Sequence, residues 1–405
     1  MNDPSTVLIS GPLAVSRDDF VAEAFRLGYA KGTVVAHLLM IARLSRWMAR
    51  MGIGVEDLSW QVLREYCGSC GLSGPRRPVP RPILQMVAFL APSCVPAENA
   101  LAGEGFPAST AVLLRSFAAY LRMERSLARS TVSGHLFYAR KFVRWFLDHR
   151  GNSLTAVTVA DVNLFVVGKM PQWSTQSVTS AMSSLRVLFG WMFLTGSLDH
   201  DLARGLCGAR KRPQSSVPKA LPSRDIAAIL AVETPLRDHA MLLLLARLGL
   251  RSCEVSRLCL DDFDWRAGTI QISGKRNDLQ SMPLPAEVGE AISAYLQGRR
   301  TSAVSGRHVF LTSNAPYRQL SSAAITTLVT KTAAKAEIPG RIGAHRLRHS
   351  AATGVLGAGG TLSEAGQLLR HRSGAVTAVY AKVAQSALVP VARPWADTSK
   401  KAGTR

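Results

Sequence analysis

The segment AHRLRHSAATGVLGAGGTLSEAGQLLRHRSGAVTAVY, residues 344–380, places histidines, arginines and a tyrosine at short spacings. His345 and Arg348 lie three positions apart in a pattern typical of a helix, so their side chains project from one face. Glycines end this helix, and Thr361 or Ser363 can cap the next one. The segment therefore predicts two polar side chains that can approach one ligand together.

The second half of the same segment brings a histidine close to the tyrosine. Ser373 can cap a helix that carries Tyr380, and His371 then lies in the turn just before it. Taken alone, a tyrosine in such a helix is more often a half-buried packing residue than a nucleophile. Its interpretation depends on the residues around it.

Two upstream segments carry residues of the same chemical kind. The segment LGLRSCEVSRL supplies Arg251 and Glu254, and the hairpin pattern IQISGKRNDLQSMPLP supplies Lys275. With His-x-x-Arg, Leu-x-His-Arg-Ser and a tyrosine nine residues after that histidine, the set resembles the tyrosine recombinase, or phage integrase, superfamily. Each motif is short, but six such residues in this order form a specific combination. The position before His371 departs from the family, which usually has glycine where this chain has Arg370.

This resemblance implies a mainly α fold. It consists of a helical core-binding, SAM-like domain and a mostly helical catalytic domain with a small three-stranded β-sheet. The expected segments are a loose leader (1–18), an N-terminal helical extension (19–100), the core-binding domain (107–208), a basic linker (209–221), the catalytic domain (222–385) and a C-terminal tail (386–405). Prolines at positions 390 and 394 argue against a long terminal helix, and the tail can dock on a neighbouring subunit or on its own domain.

The chemistry follows from what a phosphodiester requires. Cutting it without a metal needs fixed positive charge on the non-bridging oxygens, a nucleophile and a proton donor. Arg251 and Arg348 are the candidates for the charge, because guanidinium stays protonated and binds phosphate with parallel donors. His345 and His371 add hydrogen bonds, and we expect His345 to accept the tyrosine proton.

The remaining roles come from the resemblance and from local spacing. The resemblance implies that Tyr380 attacks and stays joined to the DNA 3′-phosphate, while Lys275 protonates the departing 5′-hydroxyl. Glu254 is expected to support Arg251 or a histidine. His349 is placed on another face of its helix by its neighbours, as a packing or supporting residue.

Neither a cofactor nor a metal is expected for this reaction. The chain has no phosphate-binding glycine loop followed by Lys-Ser/Thr. Cys67 and Cys70 form one C-x-x-C, which is half of a common zinc ligand set, but no second pair follows. Reduced structural thiols are the alternative interpretation of this pair.

The charge balance points to a polyanionic partner. The 405 residues include 49 Lys and Arg against 27 Asp and Glu, a formal charge of +22. This excess favours nucleic acid. No secretory signal is evident, and the most apolar run, AMLLLLARLGL, is too short to span a bilayer, so we expect a cytoplasmic protein without a membrane partner. The residues expected to contact phosphates are Arg129, Arg140, Lys141, Arg144, Arg210, Lys211 and Arg212, for which solvated helix faces are the alternative.

One internal similarity lies outside the motifs. Residues 33–48, TVVAHLLMIARLSRWM, and 131–146, TVSGHLFYARKFVRWF, share Thr, Val, His, Leu, Arg and Trp at a constant offset. Two hypotheses explain it: the N-terminal part is a degenerate copy of the next domain, or two amphipathic helices match by chance.

The functional prediction is a site-specific DNA recombinase for integration, excision or transposition of a mobile element. It would act on specific sites in double-stranded DNA as a homotetramer, through a Holliday junction, with other recombinases of the same element as further candidate partners. The alternatives are a type IB topoisomerase-like relaxing enzyme and a non-cutting DNA-binding protein of the same fold.

Overall fold

Helices form most of this computed structural model, and the small antiparallel sheet is present as the sequence predicts. The structure describes residues 3–71, 79, 81–90, 106–151, 153–206, 220–274, 279–298, 306–371, 377 and 380. Two compact units are found: one comprises residues 7–17 and 37–213, and the other comprises 1–6, 18–36 and 214–405. Within the described residues, no helix combines the length and apolar character needed to cross a bilayer.

The N-terminal region contains the helices α1 (Arg17–Arg26), α2 (Lys31–Met51), α3 (Trp60–Ser69) and α4 (Arg81–Leu90). The prediction of a loose leader is wrong for the turn at Pro12–Ala14. Leu13 is only 1% exposed, and its backbone N–H donates to the Ser45 hydroxyl at 3.1 Å. An apolar side chain and a satisfied amide hold this turn against α2.

The central helical group begins with α5 (Ala108–Met123), α6 (Arg129–Arg150), α7 (Val159–Lys169), α8 (Thr175–Leu194) and α9 (Leu202–Gly205). The amphipathic pattern of the sequence predicts helices over 109–123, 128–149, 159–167 and 174–195, and α5 to α8 agree with these bounds to within one or two residues. Thr158 caps α7 with a full capping box to Asp161. The core is rich in aromatic rings, with Phe142 packed edge-on against Phe165 and Phe189.

The C-terminal unit is built around α11 (Leu236–Arg247), whose residues 240–246 are all buried. The other helices are α10 (Ser223–Ala231), α12 (Ser252–Arg257), α13 (Ala286–Gln297), α14 (Ser322–Lys335), α15 (Ala344–Gly357) and α16 (Leu362–Leu368). Helix α11 packs against α13 and α15. A helix segment that is apolar all round, as residues 240–246 are, needs neighbours on every side, and α15, which carries the His-x-x-Arg motif, is one of them.

The sheet has strands β1 (Phe263–Asp264), β2 (Thr269–Ser273) and β3 (Leu279–Pro283) in that order, all antiparallel. Ile270 pairs with Phe263 on one side and with Met282 on the other. The alternating pattern DFDWRAGTIQIS predicts a turn at Ala267-Gly268, which the structure confirms. Gly268 has a φ of 61°, which favours glycine.

Candidate active site

Helix α15 presents three of the candidate residues. His345, Arg348 and His349 follow each other at spacings of three and one, and the rings of His345 and His349 meet edge to face with centroids 4.3 Å apart. The prediction that His349 lies on another face is wrong, because positions four apart on a helix are neighbours. Thus α15 contributes two adjacent imidazoles as well as an arginine.

Arg251 and Glu254 lie at the start of α12 and contact each other. The Glu254 carboxylate accepts from the Arg251 backbone N–H at 2.8 Å and from Arg251 Nη1 at 2.6 Å. The Glu254 side chain is 3% exposed, whereas that of Arg251 is 43% exposed. The expected support of Arg251 by Glu254 is therefore present, and it leaves the guanidinium accessible.

Arg370 is a site residue that the sequence interpretation missed. Its Nη2 donates to Glu254 Oε2 at 2.8 Å, and its side chain is 6% exposed. Its φ of 53° is in the left-handed region, which fits a position where the family usually has glycine. The sequence does contain a signal for this role, because an arginine in place of the family's glycine beside His371 needs a partner for its charge. Arg251, Arg348 and Arg370 with Glu254 are called the charged half of the site.

Arg348 is held almost completely inside the protein. It is 2% exposed, and its guanidinium donates to the Gly249 carbonyl at 2.5 Å and to the Leu369 carbonyl. Burial lowers the pKa of Arg348 to about 10, with a further lowering by Arg251. The group therefore keeps its charge at neutral pH, balanced in part by Glu254 at 4.0 Å.

Burial alone would raise the pKa of the Glu254 carboxyl. The charges of Arg370 and Arg251 and the hydrogen bonds from Arg251 outweigh that effect, and the net pKa is lowered. Glu254 is therefore an anion at neutral pH. It provides one buried negative charge for three neighbouring guanidiniums.

Tyr380 is buried, and its hydroxyl lies 2.6 Å from His349 Nδ1. Burial raises the pKa of Tyr380 above its ordinary value, and Arg348 and Arg251 oppose part of that rise. Burial also lowers the pKa of His349 to about 4, with contributions from His345 and Arg348. Both groups are thus neutral at physiological pH. The structure places His349 at the phenol, and not His345, the proton acceptor that the sequence predicts.

His371 lies beside the tyrosine on the other side. Its ring is stacked toward that of Tyr380 with centroids 6.4 Å apart, and its Nδ1 is 2.9 Å from the Thr377 hydroxyl. Burial lowers its pKa to about 4, with Arg348 and Arg251 contributing. His349, His371 and Tyr380 are called the neutral half of the site.

Two cavities border these residues. One, of about 360 Å³, is lined by Arg251, His345 and Arg348. The other, of about 800 Å³, is lined by Arg370, His371 and parts of β3 and α16. Of the predicted catalytic residues, those that the structure describes (Arg251, His345, Arg348, His371 and Tyr380) are thus brought together in one region, and His349 contacts both His345 and Tyr380. Within the described residues, no group of three His, Cys, Asp or Glu side chains is arranged to hold a metal ion.

Comparisons with known proteins place this site in a family. Residues 219–387 match the Phage integrase family, and residues 114–196 match the phage integrase N-terminal SAM-like domain. The chain is 33% identical over 401 residues to the putative integrase/recombinase y4rA of Sinorhizobium fredii, covering 95% of each chain. The chain belongs to the phage integrase family of tyrosine recombinases.

Other relatives of this tyrosine recombinase support the same family assignment. It is 30% identical to the tyrosine recombinase XerD of Mycobacterium leprae over 314 residues, 71% of this chain and 97% of the relative. Among solved structures, it resembles the XerH site-specific recombinase bound to palindromic difH substrate, with a TM-score of 0.55, 19% identity and coverage of 81% and 92%. At that identity the likeness shows the shared fold.

The remaining predicted residues of the recombinase are placed as follows. Arg129, Arg140, Lys141 and Arg144 lie on α6, where the Arg144 guanidinium carbon is 4.3 Å from the ring centroid of Phe106. Arg140 lies over the same ring, and Lys141 Nζ is 5.1 Å from the ring centroid of Phe137. Lys275, Arg210, Lys211 and Arg212 lie outside the residues that the structure describes.

Proposed function

We propose that this recombinase cleaves and rejoins DNA at specific sites through a 3′-phosphotyrosyl intermediate formed by Tyr380. One observation carries the proposal: the Tyr380 hydroxyl is 2.6 Å from His349 Nδ1, in a region whose neighbouring cavity is lined by Arg251, His345 and Arg348. A phenol with an acceptor on its proton, next to fixed cations, is the set that phosphoryl transfer to tyrosine requires.

The charged half would bind the scissile phosphate. Arg251 is accessible and can donate to the non-bridging oxygens, while the buried Arg348 borders the same cavity and adds its positive charge from within the protein. Their charge stabilises the transition state with pentavalent phosphorus, because the non-bridging oxygens carry more negative charge there than in the ground state. His345, on the wall of the cavity, adds a hydrogen bond.

The neutral half would supply the nucleophile. The phenol oxygen forms a bond to phosphorus while its proton passes to His349 Nδ1, and the bond from phosphorus to the 5′-oxygen breaks. The departing 5′-oxygen takes a proton from Lys275, the role that the family resemblance implies. A neutral His349 can accept this proton, because its pKa of about 4 leaves it unprotonated at neutral pH.

The phosphotyrosyl bond keeps the energy of the phosphodiester, so a second 5′-hydroxyl can reverse the step without a nucleotide. Repeating the step on two duplexes exchanges strands through a Holliday junction. We therefore place the chain as a homotetramer on DNA, serving integration, excision or transposition of a mobile element, with other recombinases of that element as candidate partners. The similarity to a putative integrase/recombinase over nearly the full length supports this role.

The test uses nicked duplexes that tile the DNA flanking the gene, so that cleavage releases a short strand and traps the covalent adduct. The natural protein should form an adduct that denaturing gels resolve, and Tyr380→Phe should form none. Tyr295→Phe is the matched control, because Tyr295 stacks on Phe310 with centroids 5.7 Å apart and takes no part in the site. An adduct that persists in Tyr380→Phe would overturn the proposal.

The same substrates separate the two imidazoles of α15. His349→Gln should slow adduct formation by about 10²- to 10⁴-fold if it accepts the phenolic proton. His345→Gln should act mainly by weakening phosphate binding. At saturating DNA, it should therefore reduce the rate of adduct formation less than His349→Gln does. If His345→Gln slows adduct formation more than His349→Gln does, His345 is the proton acceptor. Supercoil relaxation without two-site exchange would instead indicate a topoisomerase.

A further inference from the structure

A second basic surface lies far along the chain from the catalytic residues, in the N-terminal region. A cavity of about 1060 Å³ is bordered by α2, α3 and the segment before the Pro12–Ala14 turn. Its lining includes Arg43, Arg46, Arg50, Trp47 and Tyr66, and none of the described residues that border it is Asp or Glu. This cavity is called the N-terminal cleft. Nothing in the proposed cleavage chemistry uses it.

The three arginines of the N-terminal cleft come from one face of α2. Their spacings of three and four residues bring Arg43, Arg46 and Arg50 into line along the helix. All three are exposed. Within the described part of the chain none of them forms an ion pair, so their charge is not neutralised by carboxylates there. A row of unneutralised guanidiniums at the edge of a cavity attracts a polyanion.

The wall of the N-terminal cleft is held close to α2. Gly11 has a φ of 97°, and a Cβ placed on it would lie 2.7 Å from the Ser45 carbonyl oxygen. Elsewhere in the lining, the rings of Trp47 on α2 and Tyr66 on α3 meet with centroids 5.5 Å apart. The cleft is thus shaped by close backbone approach and by aromatic packing.

The same arrangement recurs in the domain that matches the SAM-like family model. The six residues shared by 33–48 and 131–146 lie in α2 and α6, two helices of similar length. Arg43 and Arg46 correspond to Lys141 and Arg144, two of the residues predicted to contact DNA phosphates. Only Arg50 has an unlike counterpart, Asp148.

The helices that follow α2 and α6, which are α3 and α7, also pack in a similar way. Trp145 meets Phe165 of α7 with centroids 5.5 Å apart, as Trp47 meets Tyr66 of α3. Ser59 caps α3 through its hydroxyl, and Thr158 caps α7 in the same way. Matching side chains, caps and an aromatic pair argue for a duplicated unit better than the sequence similarity does by itself.

We propose that the N-terminal cleft binds the phosphate backbone of duplex DNA, as a second copy of the helical DNA-binding unit in the same chain. The proposal rests on the proposed function only in taking DNA as the partner. Each protomer would then contact more DNA than the core-binding and catalytic domains reach. Because guanidiniums contact phosphates without reading bases, this contact is independent of sequence.

The experiment measures how binding depends on salt. A fluorescein-labelled 50-base-pair duplex of arbitrary sequence is titrated with the full-length natural protein and with Arg43→Ala/Arg46→Ala/Arg50→Ala at several KCl concentrations. Each phosphate contact contributes about 0.9 to the slope of log K against log[salt]. Losing three contacts should lower the slope by about 2 to 3 and weaken binding at low salt by about 10- to 100-fold.

Two controls separate charge from structure. The triple variant Arg43→Lys/Arg46→Lys/Arg50→Lys keeps the charges and should recover most of the slope. Arg64→Ala removes an exposed arginine of α3 that does not line the N-terminal cleft, and it should change the slope less than Arg46→Ala does. Unchanged urea unfolding of the alanine variant shows that its fold is intact.

The outcomes also distinguish this proposal from the proposed function. The triple alanine variant should still form the Tyr380 adduct on a short nicked duplex, because the cleavage residues are untouched. If its salt slope equals that of the natural protein, the N-terminal cleft does not bind DNA, whether or not the adduct forms. If no protein forms an adduct but the slope falls, the cleavage proposal fails and this one stands.

Discussion

The two halves of the candidate active site bury ionisable groups in different ways. In the charged half, the guanidiniums keep their charge because one buried carboxylate and several carbonyls pair with them. In the neutral half, burial holds two imidazoles and a phenol uncharged, with pKa values displaced accordingly. The first arrangement provides a permanent field for a phosphate, and the second provides groups that can exchange a proton.

This difference predicts that the halves respond to different perturbations. The charged half should be sensitive to loss of a partner, since an unpaired buried charge is costly. The neutral half should be sensitive to pH, since acid protonates imidazoles that the fold keeps neutral.

The largest effect is expected from Glu254→Gln. It leaves three guanidiniums without their buried counter-charge, so we expect a loss of about 3 to 5 kcal/mol in the free energy of unfolding. Urea denaturation measures it. Glu287→Gln is the matched control, because the Arg247–Glu287 pair has side chains 46% and 51% exposed and should contribute less than about 1 kcal/mol. Equal losses in both variants would show that Glu254 does not organise the charged half.

A smaller loss in the free energy of unfolding is expected from changes at Arg370. Arg370→Ala removes the charge-assisted hydrogen bond to Glu254 and should cost about 2 to 3 kcal/mol. Arg370→Gly removes the same bond but suits the φ of 53°, so it should be more stable than the alanine variant by about 1 kcal/mol. Unfolding of the two variants in parallel separates the ion pair from the backbone conformation. An alanine variant as stable as the natural protein would mean that the ion pair contributes nothing.

The smallest effect is expected from pH on the neutral half. Histidine takes a proton near pH 6.5 when unfolded, but His349 and His371 do so only near pH 4 in the fold. Between these values the unfolded state binds more protons, so stability is full above about pH 6.5 and falls as pH is lowered toward 4. At pH 5 each histidine should account for about 1 kcal/mol after allowance for solvent screening.

Urea midpoints from pH 7 to pH 5 measure this loss. His349→Gln should reduce the pH dependence, since glutamine does not titrate. A histidine resonance of the natural protein that titrates near 6.5 and disappears in His349→Gln would contradict the neutral half as described.

Much of the fold could be predicted because it depends on local signals. Apolar periodicity predicts α5 to α8, and the nearly all-apolar second half of residues 234–248 predicts a buried helix, which α11 is. Side-chain caps such as Thr361, which forms a capping box with Glu364, set helix starts. The Pro12–Ala14 turn was missed, because its order comes from Ser45, a residue 32 positions away.

The candidate site likewise has contacts between residues close in sequence, which could be predicted, and contacts between distant residues, which could not. Because Arg251 and Glu254 are three apart, their spacing predicted that Glu254 would support Arg251 or a histidine, and the structure shows the contact with Arg251. Spacing could not predict the contact of Arg370 with Glu254, which spans 116 positions, or that of His349 with Tyr380, which spans 31. Such contacts depend on how α12, α15 and the residues around position 370 pack.

By itself the sequence determined the chemical inventory of this protein: two cationic motifs, a tyrosine at a set distance from a histidine, and an excess of positive charge. Residue types and short spacings are properties of the chain, and they persist in any conformation. The packing of the folded chain sets which imidazole touches the phenol and which arginines share Glu254. Those assignments require residues distant in sequence to be buried together, and burial also sets which groups keep their charge.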